Sequence, residues 1–195
     1  MEKIKFPTTI ERNLKLSNFD SNYITKKYVN WLNDKEVVRY SEQRHKHHSM
    51  DNCKEYLEKI ENSDNYLIAI EIKNDKEWIH IGNIGATYDK NNRSCDLSIM
   101  IGNKSQWGNG YGKLAWCVAA CKVIEMLGVR IITAGTMSTN IRMLNLFKVC
   151  NMKIEAILKK RFIFEGSEVD LVIAIGNQNN FQNAIEEIKK KHVYF

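Results

Sequence analysis

The stretch Ser105-Gln106-Trp107-Gly108-Asn109-Gly110-Tyr111-Gly112-Lys113 places glycine at every second position, between a strand-like run and a helix-like run. Upstream, Asp96 to Ile101 reads as a short, largely apolar strand. Downstream, Lys113 to Leu127 is rich in Ala, Cys, Val, Leu and Met and has neither Gly nor Pro, the composition of a buried helix. Glycines at such a junction let the backbone turn tightly and bring its N–H groups against a ligand. The free N–H groups and the positive end of the following helix favour an anion, above all a phosphate. A plain strand-to-helix connection fits the same residues, so the surroundings must decide.

Length and composition narrow the choice. The 195 residues suit one domain, 1–195, with a core of about 13–175 and a helical tail of about 179–192. No apolar run approaches the ~20 residues that span a bilayer. Met1 to Pro7 has no apolar core of a signal peptide, so a cytoplasmic protein without membrane contact is expected. Cys53, Cys95, Cys117, Cys121 and Cys150 are odd in number and scattered, which favours reduced thiols serving as small core residues. They lack the spacing of a zinc ribbon, and no metal site is expected.

The formal charge of +6 is dispersed apart from Lys159-Lys160-Arg161 and Lys189-Lys190-Lys191. No basic stripe interleaved with aromatics accompanies it, so a nucleic-acid partner is disfavoured. A basic chain does suit an anionic small ligand.

Periodicity sets the element order. Asn13 to Phe19 alternates and reads as an edge-like strand; Ser21 to Leu32 reads as a helix capped by Ser21; Ser49 to Glu61 reads as a second helix. Tyr66–Ile72 and Trp78–Tyr88 form a hairpin across Asn74-Asp75-Lys76, and Asp89 to Arg93 turns the chain into Cys95–Ile101. After the long helix come a strand at Arg130–Thr136, a helix at Asn140–Val149 with Met143, Leu144 and Phe147 inward, and a hairpin of Lys153–Phe164 with Glu168–Ile175. The class is α+β, a mixed and mainly antiparallel sheet of about seven strands flanked by helices. A dinucleotide fold is disfavoured because the glycine turn comes mid-chain, after a meander.

This order, with the glycine turn between the fourth strand and the third helix, resembles the GNAT superfamily of N-acetyltransferases, in particular its RimJ/RimL-like branch. The family's glycine motif looks like Trp107-Gly108-Asn109-Gly110-Tyr111-Gly112, with Trp107 where an Arg or Gln is usual. A second motif, an Asn that opens a helix ending in Lys–small–Gly–Phe, resembles Asn140 through Lys148-Val149-Cys150-Asn151-Met152. Asn151 can hold the left-handed helix end that glycine would supply. Trp31 to Tyr40 is similar to a further feature of the branch.

The resemblance implies acetyl-CoA in a gap between splayed central strands, here Cys95–Ile101 and Arg130–Thr136. Ile99, Met100 and Ile101 would hold the pantetheine arm, and Trp107 to Lys113 the pyrophosphate, with Asn140 and Lys148 beside them. It places the proton acceptor at Asp96. Phe147 stands where many members carry an acidic Tyr, which leaves Ser138, Thr139, Tyr111 or water as donor. The connection Tyr40 to His48 would choose the acceptor, with Glu42 toward an ammonium and Arg44 or His48 toward an anion; Gly85 would lie beside it. The implied activity is N-acetylation of a small primary amine, an amino sugar or a nucleotide-linked one. Protein Nα-acetylation and a non-catalytic acyl-CoA-binding module are the alternatives, and a homodimer is a further possibility.

Overall fold

The computed structural model describes residues 4–191. Alternation fixes the first long strands. In β2 (Leu14–Asn18), Leu14 and Leu16 are fully buried while Lys15 and Ser17 turn the other way, the period of two of a half-buried strand. A short β1 (Thr9–Glu11) precedes it, and β3 (Tyr66–Asn74), β4 (Glu77–Asp89) and β5 (Ser94–Ile101) continue the meander. The remaining strands are β6 (Ile131–Met137), β7 (Lys153–Phe164) and β8 (Ser167–Gly176). Together they make one eight-stranded sheet in the order β1-β2-β3-β4-β5-β6-β8-β7, antiparallel except between β5 and β6.

Two apolar layers cover the sheet. On one face lie α3 (Tyr111–Leu127), α4 (Ile141–Val149) and α5 (Gln178–Lys191). Ala115, Ala119 and Ala120 of α3 are fully buried, and such short side chains let the helix approach the strands closely. Phe181, Ala184 and Ile188 bring α5 into the same layer. All five cysteines are free thiols, and the buried Sγ atoms of Cys117 and Cys150 lie 3.1 Å apart between α3 and α4.

The other face carries α1 (Lys26–Asn33) and α2 (Met50–Glu61) over Leu67 and Ala69. The imidazole of His80 is packed among the rings of Phe19, Tyr23, Tyr28 and Trp31 and bonds the carbonyl of Gly82 at 2.9 Å. Gly102 lies so close that a Cβ there would come 2.1 Å from the Trp31 ring. This packing seats α1, and with it the chain from Val38 to His48, above the centre of the sheet.

Several expectations change in detail. The expected helix at Ser21–Leu32 is broken: Asp20 caps a single 3-10 turn at Ser21–Tyr23, Ile24 leaves helical geometry to enter the core, and Thr25 caps α1. The strand expected at an edge is internal, because β1 pairs with it. Phe147 of α4 is buried together with Leu146, and Met143 and Leu144 pack half-buried against the same layer as expected. Asn151 does adopt φ +50° at the end of α4, the left-handed conformation that Asn tolerates.

Candidate active site

The parallel pairing of β5 with β6 lasts three residues, Ser94–Ile131, Cys95–Ile132 and Asp96–Thr133, and then the strands part. Hydrogen-bond alternation shows which groups line the opening. The Gly102 N–H donates to the Ile81 carbonyl of β4, so the even-numbered residues of β5 turn their backbone toward β4. Ile99 and Ile101 therefore turn theirs into the gap, while the Leu97 N–H still belongs to the Asp96–Thr133 pairing. Across it, the Ser138 N–H donates to Asp170, which leaves Gly135 and Met137 of β6 facing the gap by the same rule. Unpaired strand edges of this kind suit an extended, amide-bearing ligand arm.

Two expectations are corrected at this point. Met100 bonds β4 with its backbone and packs its side chain against the α1–α2 layer, so it does not line the gap. The carbonyl of Ile101 is already occupied, accepting from the Trp107 indole Nε1–H at 2.7 Å; only the Ile101 N–H remains, together with both groups of Ile99.

Past the wide end of the gap, Gly108 and Gly110 both have φ +84°, open to glycine at no steric cost. Gly110 caps α3 without a side chain, and Lys113 and Leu114 fold their N–H groups back onto its carbonyl. The N–H groups of Tyr111 and Gly112 meet no acceptor among the described residues. A Cβ at Gly108 would touch nothing within 4 Å, so its surroundings are open to a ligand. Free N–H groups at a helix start with open space before them fit a pyrophosphate.

The neighbouring side chains divide. Lys113 is half-buried, Asn109 donates to Gln106, and Lys148 is exposed on α4. Asn140 acts as a cap: its Oδ1 accepts from Met143 N–H and its Nδ2 donates to the Thr136 hydroxyl at 3.0 Å. The Tyr111 hydroxyl accepts from Asn13 at 3.2 Å, which turns it toward β2. Phe147 is buried in the main layer.

On the α1–α2 face a cavity of about 470 Å³ opens beside the last paired residues. Asp96, Thr133, Gly135 and Met137 line its floor, Phe162, Leu171 and Ile173 one wall, and Tyr40 and Glu42 the other. Asp96 is open to the cavity, yet crowding by protein around its carboxyl raises its pKa above the usual aspartate range; the Thr133 hydroxyl, donating to Oδ2 at 3.0 Å, pulls it back. Glu42 pairs with Arg44 at 2.9 Å, while Arg39 lies over the Tyr40 ring and Arg161 over the Phe162 ring.

Asp96 and Glu42 are thus brought to one cavity, with Arg44 beside it. His48 is not among the lining residues: its N–H and carbonyl are bonded to Asn33, and burial lowers its pKa. Gly85 faces Ser98, whose Oγ would be 2.7 Å from a Cβ there. Ser138 follows β6, five residues beyond Thr133, or roughly 16 Å along the strand at ~3.3 Å per residue. The two groups expected to share the chemistry, Asp96 and Ser138, are therefore not side by side. Thr133, Met137, Phe162, Leu171 and Ile173 were not expected from the sequence; they are ordinary strand residues gathered only by pairing.

The acetyltransferase (GNAT) domain family matches residues 13–153. Comparison with curated proteins gives no match. Among solved structures, spermidine N-acetyltransferase from Vibrio cholerae in complex with CoA and spermine superposes with a TM-score of 0.76 at 19% identity, over 89% of this chain and 100% of that one. Ribosomal-protein-alanine N-acetyltransferase from Brucella melitensis gives 0.66 at 13%, over 83% and 98%. A GNAT-family acetyltransferase from Bacillus anthracis gives 0.73 at 13%, over 89% and 99%. At these identities the likeness is one of fold.

Proposed function

Because the chain belongs to the GNAT acetyltransferase family, an N-acetyltransferase fold that uses acetyl-CoA, we propose that it acetylates the primary amine of a small acceptor that also carries an anionic group, the chemistry of a nucleotide-linked amino sugar. The observation that carries this reading is the polarity of the cavity. A carboxylate, Asp96, lies at its floor, while Arg161, which has no carboxylate partner among the described residues, lies over the Phe162 ring of its wall; Arg39 and Arg44 stand at Tyr40 and Glu42 with their charge already shared with Glu165 and Glu42. An ammonium is favoured at the floor and a phosphate or carboxylate at the mouth. The rings of Tyr40 and Phe162 offer flat apolar faces to a sugar. A polycation would have to pass the same arginines, which favours a zwitterionic acceptor over spermidine.

Bound acetyl-CoA supplies the acetyl group as a thioester. The amine must reach it neutral, so a proton has to leave first. Asp96 sits at the apex of the gap and lines the cavity, with Oδ2 engaged by Thr133. Its raised pKa makes it a stronger base than an ordinary aspartate. It takes the proton, directly or through a water. The gap-facing N–H group of Ile99, the first past the paired residues, stabilises the negative charge that develops on the acetyl oxygen. Phe147 has no proton to give, and the Tyr111 hydroxyl is turned to Asn13. The departing thiolate therefore takes its proton from Ser138 or Thr139, just past β6, or from water, or leaves ionised.

The test is acetyl transfer to a panel of nucleotide-linked amino sugars, free amino sugars, spermidine and peptide N-termini. Preference for the nucleotide-linked members, with a KM raised strongly by Glu42→Ala and by Arg44→Ala, is the expected result. Turnover of spermidine or peptides in preference to every amino sugar would overturn it.

A further inference from the structure

We infer that Arg142 binds a phosphoryl group of the cofactor and that Trp107 is the residue that positions it. The argument concerns the cofactor side alone and stands whichever acceptor is used.

Trp107 is fixed at the wide end of the gap by its indole N–H, which donates to the Ile101 carbonyl of β5 at 2.7 Å. Arg142 comes from the other side, in the first turn of α4, the helix that follows β6. Its guanidinium carbon lies 4.2 Å from the centroid of the Trp107 ring, well inside the ~6 Å reach of a cation–π contact. The indole thus links β5 to the start of α4 across the wide end of the gap, and Arg142 covers it.

Arg161 lies over the Phe162 ring on the acceptor side, and four other arginines spend their donors within the protein. Arg39 bonds Glu165 through two nitrogens, and Arg44 bonds Glu42 and the Ser41 carbonyl. Arg93 and Arg130 donate to the carbonyls of Gly128 and Asn92. Arg142 has no carboxylate or carbonyl partner among the described residues; its contact is the ring face. A guanidinium whose central carbon is held over a ring keeps its N–H groups free of other acceptors, available for a bidentate bond to phosphate. The residue after Trp107 is Gly108, which opens the segment whose free N–H groups start α3. Arg142 is therefore held next to the anion-favouring helix start by an aromatic platform, which lowers the entropy lost when it binds. This also accounts for Trp107 where an Arg or Gln is usual: the cation is supplied from α4 and the loop supplies its seat.

The experiment is calorimetric titration of the full chain with CoA and with dephospho-CoA, at two salt concentrations. Arg142→Ala should weaken CoA about ten- to a hundredfold, the worth of a charge-assisted hydrogen bond, and should reduce the salt dependence of binding. Arg142→Lys, which keeps the charge but not the stacked plane, should fall between. Trp107→Ala should weaken CoA, and adding Arg142→Ala to it should cost less than it does alone. A loss confined to CoA assigns Arg142 to the 3′-phosphate, and a loss shared with dephospho-CoA assigns it to the pyrophosphate; either supports the inference. Wild-type affinity in Arg142→Ala would overturn it. So would a loss with unchanged salt dependence, which marks a brace for Trp107 and not a phosphate ligand. Failure of the wild type to bind CoA would instead overturn the cofactor assignment itself.

Discussion

The two halves of the site are built from different materials. The cofactor half is mostly backbone: unpaired edges of β5 and β6, and the bare N–H groups of a helix that opens on glycines at φ +84°. The acceptor half is mostly side chain, with Tyr40, Glu42, Asp96, Thr133 and Phe162 converging from separate segments. A backbone-built site tolerates change of side chain and suffers from change of conformation. A side-chain-built site does the reverse.

The largest effect should separate the halves completely. Asp96→Asn keeps shape and removes the proposed base, so kcat/KM should fall about a hundred- to ten-thousandfold, while CoA affinity by calorimetry stays within about twofold. Loss of both together would show that the halves are one unit. The same residue gives a pH signature. A carboxyl whose pKa is raised must be ionised to act, so activity is full above that pKa and lost as pH falls through it. The acid limb of the rate profile should therefore lie above the usual aspartate range of ~4 and be absent from any residual activity of Asp96→Asn.

The layer that seats the acceptor half has its own pH weakness. Burial among the Phe19, Tyr23, Tyr28 and Trp31 rings lowers the pKa of His80 from 6.5 to about 4, against a smaller opposing effect of its bond to Gly82. Folded protein therefore binds this proton less readily than unfolded chain. Stability is fully present above about 6.5 and falls as pH drops toward 4, by up to about 3 kcal/mol. Denaturant unfolding between pH 7 and 4 should show the decline, and His80→Phe should flatten it. Since His80 underlies α1, acceptor KM should rise in mild acid before CoA affinity changes.

The contrast in materials also explains what could be read from the chain beforehand. The glycine turn announces itself because φ near +84° at Gly108 and Gly110 demands a residue type that sequence displays directly. The strands Tyr66–Asn74 and Glu77–Asp89 were legible from apolar runs around turn residues. The break at Ile24 was not, since helical spacing continues through it and only burial of Ile24 in the α1–α2 layer ends it. Met100 was misplaced because strand membership alone does not tell which way a residue turns its backbone; the Gly102–Ile81 bond does. Thr133, Leu171 and Ile173 carry no local mark, being an antiparallel and a parallel pairing away from Asp96.

The smallest effects fall at the glycine turn of the cofactor half, where, apart from the Arg142–Trp107 pair, replacement of side chains should matter least. Asn109 is exposed and bonds only the Gln106 side chain among the described residues, so Asn109→Ala should leave CoA affinity within about twofold. Gly110, one residue on, is the side-chain-free cap at φ +84°. A Cβ there costs roughly 1–2 kcal/mol and shifts the first turn of α3. Gly110→Ala should accordingly weaken CoA by about tenfold, with a drop in thermal stability measured on the same sample. The pair is a fair comparison because the residues are neighbours in one loop, and differ chiefly in what they contribute. Equal losses from both would mean that the Asn109 side chain binds phosphate. Backbone would then no longer be the dominant material of the cofactor half.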